Sequence, residues 1–122
     1  LEFPELPKHE ATWQPIYMET MMGSGERITV AILATDINGC SVLKTLSETR
    51  LEGMFDEQAS SMSSMIDIVI RAAQHWGQQQ LSTPFAPPMS GVTLGEARAG
   101  LGDNIDDVMS QAAFLTSCFY RE

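Results

Sequence analysis

Between residues 52 and 76 the apolar positions recur at helical spacing, with Phe55, Ala59, Met62, Ile66, Ile70 and Ala73 forming one stripe. A second row, Met54, Met65, Val69, Ala72 and Trp76, widens that stripe, and Ile68 falls almost opposite it. The spacing predicts one long helix with more apolar surface than one small sheet covers. Such a helix needs a sheet on one side and a further body on the other. Upstream the period is two. Residues 12–20 form a strand through Trp13, Ile16, Tyr17 and Met18, and Pro15, which has no amide proton, puts it at an edge or gives it a bulge. Residues 28–35 carry Ile28, Val30, Ile32 and Ala34 on one face and Ala31 and Leu33 on the other. Being apolar on both faces, they predict a central strand. Asn38-Gly39 marks a tight hairpin in which both central residues take positive φ. Residues 41–46 then alternate Val42, Lys44 and Leu46 against Leu43, completing an antiparallel meander.

After the helix, Gly77 is a stop signal, and residues 78–90, with Pro84, Pro87 and Pro88, form a loop. Residues 91–98 supply a fourth strand through Val92, Leu94 and Glu96. Asp103 or Asn104 caps a second helix, whose positive first turn suits Asp106 and Asp107. Its buried stripe is Ile105, Val108, Met109, Ala112, Leu115 and Phe119, with Phe114 opposite. The predicted class is α+β, order β-β-β-α-β-α, with a small mostly antiparallel sheet and both helices packed on one face. In that arrangement the second apolar row of the long helix meets the C-terminal helix, leaving Ile68 and Phe114 over. Residues 1–11, with two prolines and three glutamates, form an extended arm ahead of a single domain over 12–122.

Composition narrows the function classes. The 122 residues hold sixteen acids against seven bases, a formal net charge of −9, with no Lys/Arg cluster. That disfavours nucleic acid and anionic membrane surfaces, both of which need grouped cations. No apolar run approaches the roughly 20 residues of a membrane span. Cys40 and Cys118 lie far apart without metal-type spacing and read as free thiols in a reducing, cytoplasmic compartment, a single disulfide being the alternative. The chain starts without a signal peptide or initiator Met and stops inside a helix pattern, which suggests a part of a longer protein.

The chemistry-bearing residues are sparse. Gly23-Ser24-Gly25-Glu26-Arg27 precedes a strand and lacks a following Lys-Ser or Lys-Thr, so it reads as a hairpin turn and not a phosphate cradle. His9 and His75 have no second ligand at metal spacing and no recognisable orienting partner. Cys40, after Gly39 in a turn, is expected to be exposed and modestly reactive; Cys118 reads as core. Ser60, Ser61, Ser63 and Ser64 lack His and oxyanion signals, and Asp56, Glu57 and Asp67 read as a solvated face. Glu96, Asp103 and Asp107 are the acids a magnesium ion or small ligand would use, although helix capping accounts for Asp103 and Asp106 without one. Of the eight methionines, those on the long helix are core fillers, while Met21 and Met22 sit beside the Gly23 turn.

The run Trp13-Gln14-Pro15-Ile16, followed by Gly25-Glu26-Arg27-Ile28-Thr29-Val30-Ala31-Ile32, resembles the opening hairpin of a family of small bacterial domains of unknown function. That family has an aromatic-x-Pro strand, then Glu-x-x-Asn-x-Gly-Val, a long helix and a Pro-containing loop. Thr29 and Ala31 stand here where Asn and Gly would be expected. The resemblance implies this order of elements and a bacterial, cytoplasmic setting, and carries over no catalytic residue.

With no nucleophile–base constellation, no cofactor motif and no metal-ligand spacing, the sequence reads as a non-enzymatic protein-interaction or self-association module. Ile68, Trp76, Phe114 and Tyr120 are its expected contact residues, with a protein partner or a second copy as the other side. The competing reading is a small-ligand-binding or metal-dependent enzyme domain built on Glu96, Asp103 and Asp107.

Overall fold

A computed structural model of the chain describes residues 9–19, 26–79, 85–89 and 91–116. The protein is α+β. Its antiparallel sheet contains β1 (His9–Glu19), β2 (Arg27–Asp36), β3 (Gly39–Lys44), β4 (Val92–Leu94) and β5 (Arg98–Gly102). The helices are α1 (Glu48–Phe55), α2 (Ala59–Gln78) and α3 (Ile105–Thr116). The first three strands form the expected meander. β1 already begins at His9, so the sheet takes in residues 9–11 of the expected arm. Among the described residues no helix is long and apolar enough to cross a membrane.

β1 lies inside the sheet, flanked by β2 on one side and by β4 and then β5 on the other. The edge position expected from Pro15 is thus corrected, while the bulge is present. The β1–β2 register shifts between Ile16 and Tyr17, leaving Val30 without a partner in the register. On the other side the ladder is interrupted between β4 and β5, where Pro15 has no N–H to offer. There the Gly95 N–H donates to the Pro15 carbonyl at 2.8 Å, so the proline serves as acceptor only. Of the predicted fourth strand only β4 is present; Glu96 lies in the link after it, and the further strand β5 begins at residue 98, where the predicted one was to end.

The helices do not share a face. Ala31 and Leu33 of β2 join Ile16, Met18, Ile66, Val69 and Ala73 in one core, whereas Ile32 and Ala34 join Trp13, Val108, Met109, Ala112 and Ala113 in another. Because successive strand residues point to opposite faces, α2 and α3 cover opposite sides of the sheet. This corrects the placement of both helices on one face. The physical reason is the doubly apolar β2, whose Val30 to Ala34 are all at most 1% exposed and so need cover above and below.

The long helical stretch starts at Glu48, four residues before the expected residue 52, because the Ser47 hydroxyl caps α1 by accepting from the Arg50 N–H. It also breaks at Asp56, whose φ of 50° ends α1 ahead of a single 3-10 turn, Asp56–Gln58. The stripe survives the break: Ala59, Ile66 and Ala73 are buried, and Phe55, Met62 and Ile70 pack beside them. The second row does not meet α3. Val69 faces the sheet, Met65 is exposed, and the Trp76 ring packs on Phe85 at 5.5 Å between centroids. Gly77 lies within α2 and does not stop it. A Cβ there would stand 2.7 Å from Cys40 Sγ, so the glycine lets α2 approach β3 closely.

Two smaller corrections follow. At the β2–β3 turn, Asp36 pairs with Gly39, so Ile37 and Asn38 form the tip, and only Gly39 has positive φ (140°). On α3 the buried positions are Val108, Met109, Ala112 and Ala113; Leu115, expected in that stripe, is 78% exposed. The tenth residue on from Ile105 has rotated about 80° off the stripe at 3.6 residues per turn. Phe119, Cys118, Tyr120, Met21, Met22 and the Gly23-Ser24-Gly25 turn lie outside the described residues.

Candidate functional site

The residues expected to carry chemistry are dispersed or structurally committed. Glu96 lies between β4 and β5, while Asp103 and Asp107 sit past the far end of β5, about 20 Å along the strand at some 3.3 Å per residue. Asp107 closes the start of α3: its Oδ2 accepts from the Asp103 N–H at 2.9 Å, and its own N–H donates to Asn104 Oδ1 at 2.8 Å. Asn104 is the capping residue. The acid trio of the enzyme reading is therefore not brought together.

Ser63, unlike its serine neighbours, is buried at 8% exposure, and Lys44 Nζ donates to its Oγ at 3.1 Å. The pair resembles a Ser–Lys dyad but is wired as a tie. The Ser63 hydroxyl donates to Glu48 Oε1 at 2.6 Å, and the Lys44 ammonium is held also by Asp67 at 3.2 Å and Glu48 at 3.4 Å. The Ser63 hydrogen bond, with Lys44 assisting against desolvation, lowers the Glu48 pKa. Lys44 Nζ donates to Glu48, Ser63 and Asp67 together and ties β3 to the two helices. Asp67 thus holds Lys44 and is not merely solvated.

His9 does find an orienting partner, which sequence spacing of 27 residues concealed. Its Nε2–H donates to Asp36 Oδ2 at 2.6 Å, and Asp36 Oδ1 accepts from the Asn38 N–H at 2.8 Å. Burial alone would raise the Asp36 pKa, but the Asn38 N–H and the His9 ring together bring it below its ordinary value. Among the described residues no serine or cysteine side chain is hydrogen-bonded to this pair. Cys40 sits on the opposite face, because alternate residues of the β2–β3 pair point oppositely. It is half-buried against α2, with its Sγ 3.5 Å from the Gln74 carbonyl, and burial pushes its thiol pKa up. The expectation of a reactive turn cysteine is corrected accordingly.

The expected contact residues do not form one patch. Ile68 (43% exposed) is on α2 and Phe114 (49%) on α3, with the sheet between them. Trp76 is half-buried against Phe85, and Tyr120 lies outside the described residues.

A different surface gathers around β5. Among the described residues β5 pairs with β1 only, so its outer edge is open. The bonds from Glu19 N–H to Gly91 O and from Gly95 N–H to Pro15 O show that odd-numbered residues of β1 turn their polar groups toward β4 and β5. Trp13 pairs with Arg98 and Ala11 with Gly100, so those β5 residues turn inward while Ala99 and Leu101 turn their N–H and C=O outward. Side chains alternate as well. A Cβ on Gly100 would meet Val108 Cγ1 at 2.8 Å and Trp13 at 3.0 Å, so residues 98, 100 and 102 face α3. Leu101, 56% exposed, points to the other face, where α2 covers β2 and β3.

Along this edge, against α3, lies a cleft of about 680 Å³, lined by Trp13, Val108, Ala112 and Leu115 and by Ala99, Gly100 and Leu101 of β5 itself, with Arg98, Glu10 and Gln111 as polar lining. The Arg98 guanidinium stands 5.5 Å from the Trp13 ring centroid, an aromatic contact that holds it over the cleft. β5 itself was the missed element. Arg98-Ala99-Gly100-Leu101-Gly102 has too little alternation and too much glycine to read as a strand, and only its pairing with β1 makes it one.

Among the described residues the sheet is covered by helices on both faces, with β3 at one edge and β4 and the apolar-flanked β5 at the other. No protein-family model, no curated protein and no solved structure matches this chain.

Proposed function

We propose that this chain is a non-enzymatic protein-interaction domain that binds extended backbone along the open edge of β5. The observation that carries the reading is the pair of exposed leucines flanking one edge: Leu101 on one face of β5, and Leu115 beside the cleft on the other. A strand added to β5 would engage the outward N–H and C=O groups of Ala99 and Leu101 and remove both leucines from water. Covering a leucine contributes about 1.5–3 kcal/mol at full burial, a gain that adds to the backbone hydrogen bonds of the new strand.

Selection of displayed extended peptides against the immobilised full chain tests the reading. Binders should be lost with Leu101→Lys and with Leu115→Asp, and retained with Ile68→Asp on α2, which packs on β2 and β3. Absence of binders, or binders indifferent to both leucine changes, overturns it.

A further inference from the structure

From the geometry of β5 we infer that its occupant is a second copy of this chain, paired antiparallel through β5 about a two-fold axis at Gly100. The inference rests on the reading of β5 as a binding edge and adds which partner fits it. An antiparallel pair centred on Gly100 sets Arg98 opposite the partner's Gly102, and Ala99 opposite the partner's Leu101. Since Ala99 and Leu101 direct their polar groups outward, these two form the hydrogen-bonded pairs of the new ladder. The Gly100 pair falls at the close, non-bonded spacing of about 4.5 Å between Cα atoms, where missing side chains remove any clash.

The charges then complement one another. Arg98 and Gly102 both face α3, and Asp107 Oδ2 lies 2.6 Å from where a Gly102 Cβ would be. Pairing Arg98 with the partner's Gly102 therefore brings its guanidinium to the partner's Asp107, and symmetry makes the contact twice. On the other face, exposed Leu101 covers the partner's Ala99. The strand carries no Lys, Pro or acid to blunt its edge, and Arg98 is its one charge. The net charge of −9 opposes association at long range, and salt at physiological strength screens that term beyond roughly 8 Å. The sheet so formed would run continuously through both copies, with the two α3 helices on the same side of it.

Sedimentation equilibrium of the full chain across a concentration series, at physiological salt, reads this out. A monomer–dimer equilibrium is expected. Ala99→Pro, which removes an outward N–H that an edge strand can spare, and Leu101→Lys should each weaken it about tenfold or more, with Arg98→Glu acting in the same direction. Ile68→Asp should leave it unchanged, and circular dichroism checks that each variant is folded. For the unmodified chain, hydrogen exchange at the Ala99 and Leu101 amides should slow as concentration rises, while the inward Gly100 amide changes little. A chain that stays monomeric, or a dimer indifferent to Ala99→Pro and Leu101→Lys, overturns the inference. If the monomer nevertheless selects peptides that depend on Leu101, the second-copy inference fails and the edge-binding reading stands. If no peptide is selected either, both fail.

Discussion

The two faces of the sheet are built from different materials. On the α2 side, Ile16, Leu33, Leu46, Leu51, Ile66 and Val69 fill the space between sheet and helix with aliphatic bulk, and Phe85 and Met89 pack against the margin. Among the described residues the α3 side has the thinner cover: besides Trp13, Ile32, Val108 and Met109, with Leu43 and Ile105 packed against them, the contact relies on Ala11, Ala34, Ala112 and Ala113. Small residues bring α3 close to the sheet but shield little beyond it, and Leu115 and the β5 cleft remain open. Each side also carries a polar tie with a charged partner. Lys44 with Glu48, Ser63 and Asp67 joins β3 to α1 and α2, and His9–Asp36 joins the start of β1 to the end of β2. The α2 face thus buries the larger aliphatic core, and the α3 face carries the edge to which binding is proposed.

That contrast can be broken most sharply from the thick side. Ile66→Ala opens a cavity among residues that are fully buried, and should lower unfolding free energy by about 2–5 kcal/mol in a urea titration. On the thin side the expected damage comes from adding volume. Ala113→Leu, at a position 0% exposed between α3 and the sheet, should cost about 1–3 kcal/mol by overpacking, and native-state hydrogen exchange should place the loss in α3.

The polar ties predict a common pH response. Asp36 and Glu48 have folded pKa values below their ordinary values near about 4, so their stabilisation is present above that range and disappears as pH falls through the lowered folded values. Unfolding midpoints measured stepwise below about pH 5 should therefore decline. Asp36→Asn and Glu48→Gln should each flatten that decline, and a variant curve that keeps the wild-type slope would discount its tie. The smallest effect is expected at Asp56, where φ of 50° strains a non-glycine residue. Asp56→Gly should raise thermal stability slightly, by no more than roughly 1 kcal/mol after the glycine's greater unfolded-state entropy is counted.

How much of this was legible depended on the range of the interaction concerned. The three-strand meander, the stripe Ala59, Met62, Ile66 and Ala73, and the cap at Asn104 all follow from residues a few positions apart, and each is present. Leu115 was misplaced because a stripe extrapolated over ten residues drifts by most of a quadrant. The His9–Asp36 pair and the β5 edge left no local trace, since each exists only by register across β1. The expected contacts at Ile68 and Phe114 came from counting apolar excess, and counting cannot tell that the two helices bearing them lie on opposite sides.

By itself the amino-acid sequence determined the α+β class, the antiparallel meander and the identity of the doubly apolar strand, because side-chain period and turn chemistry act within a few residues. Only the tertiary structure decided that β1 is interior despite Pro15, that the helices sandwich the sheet, and that β5 pairs along β1 beyond β4. Those outcomes depend on which backbone groups find partners across tens of residues, and hydrogen-bond pairing between strands is set by the assembled sheet.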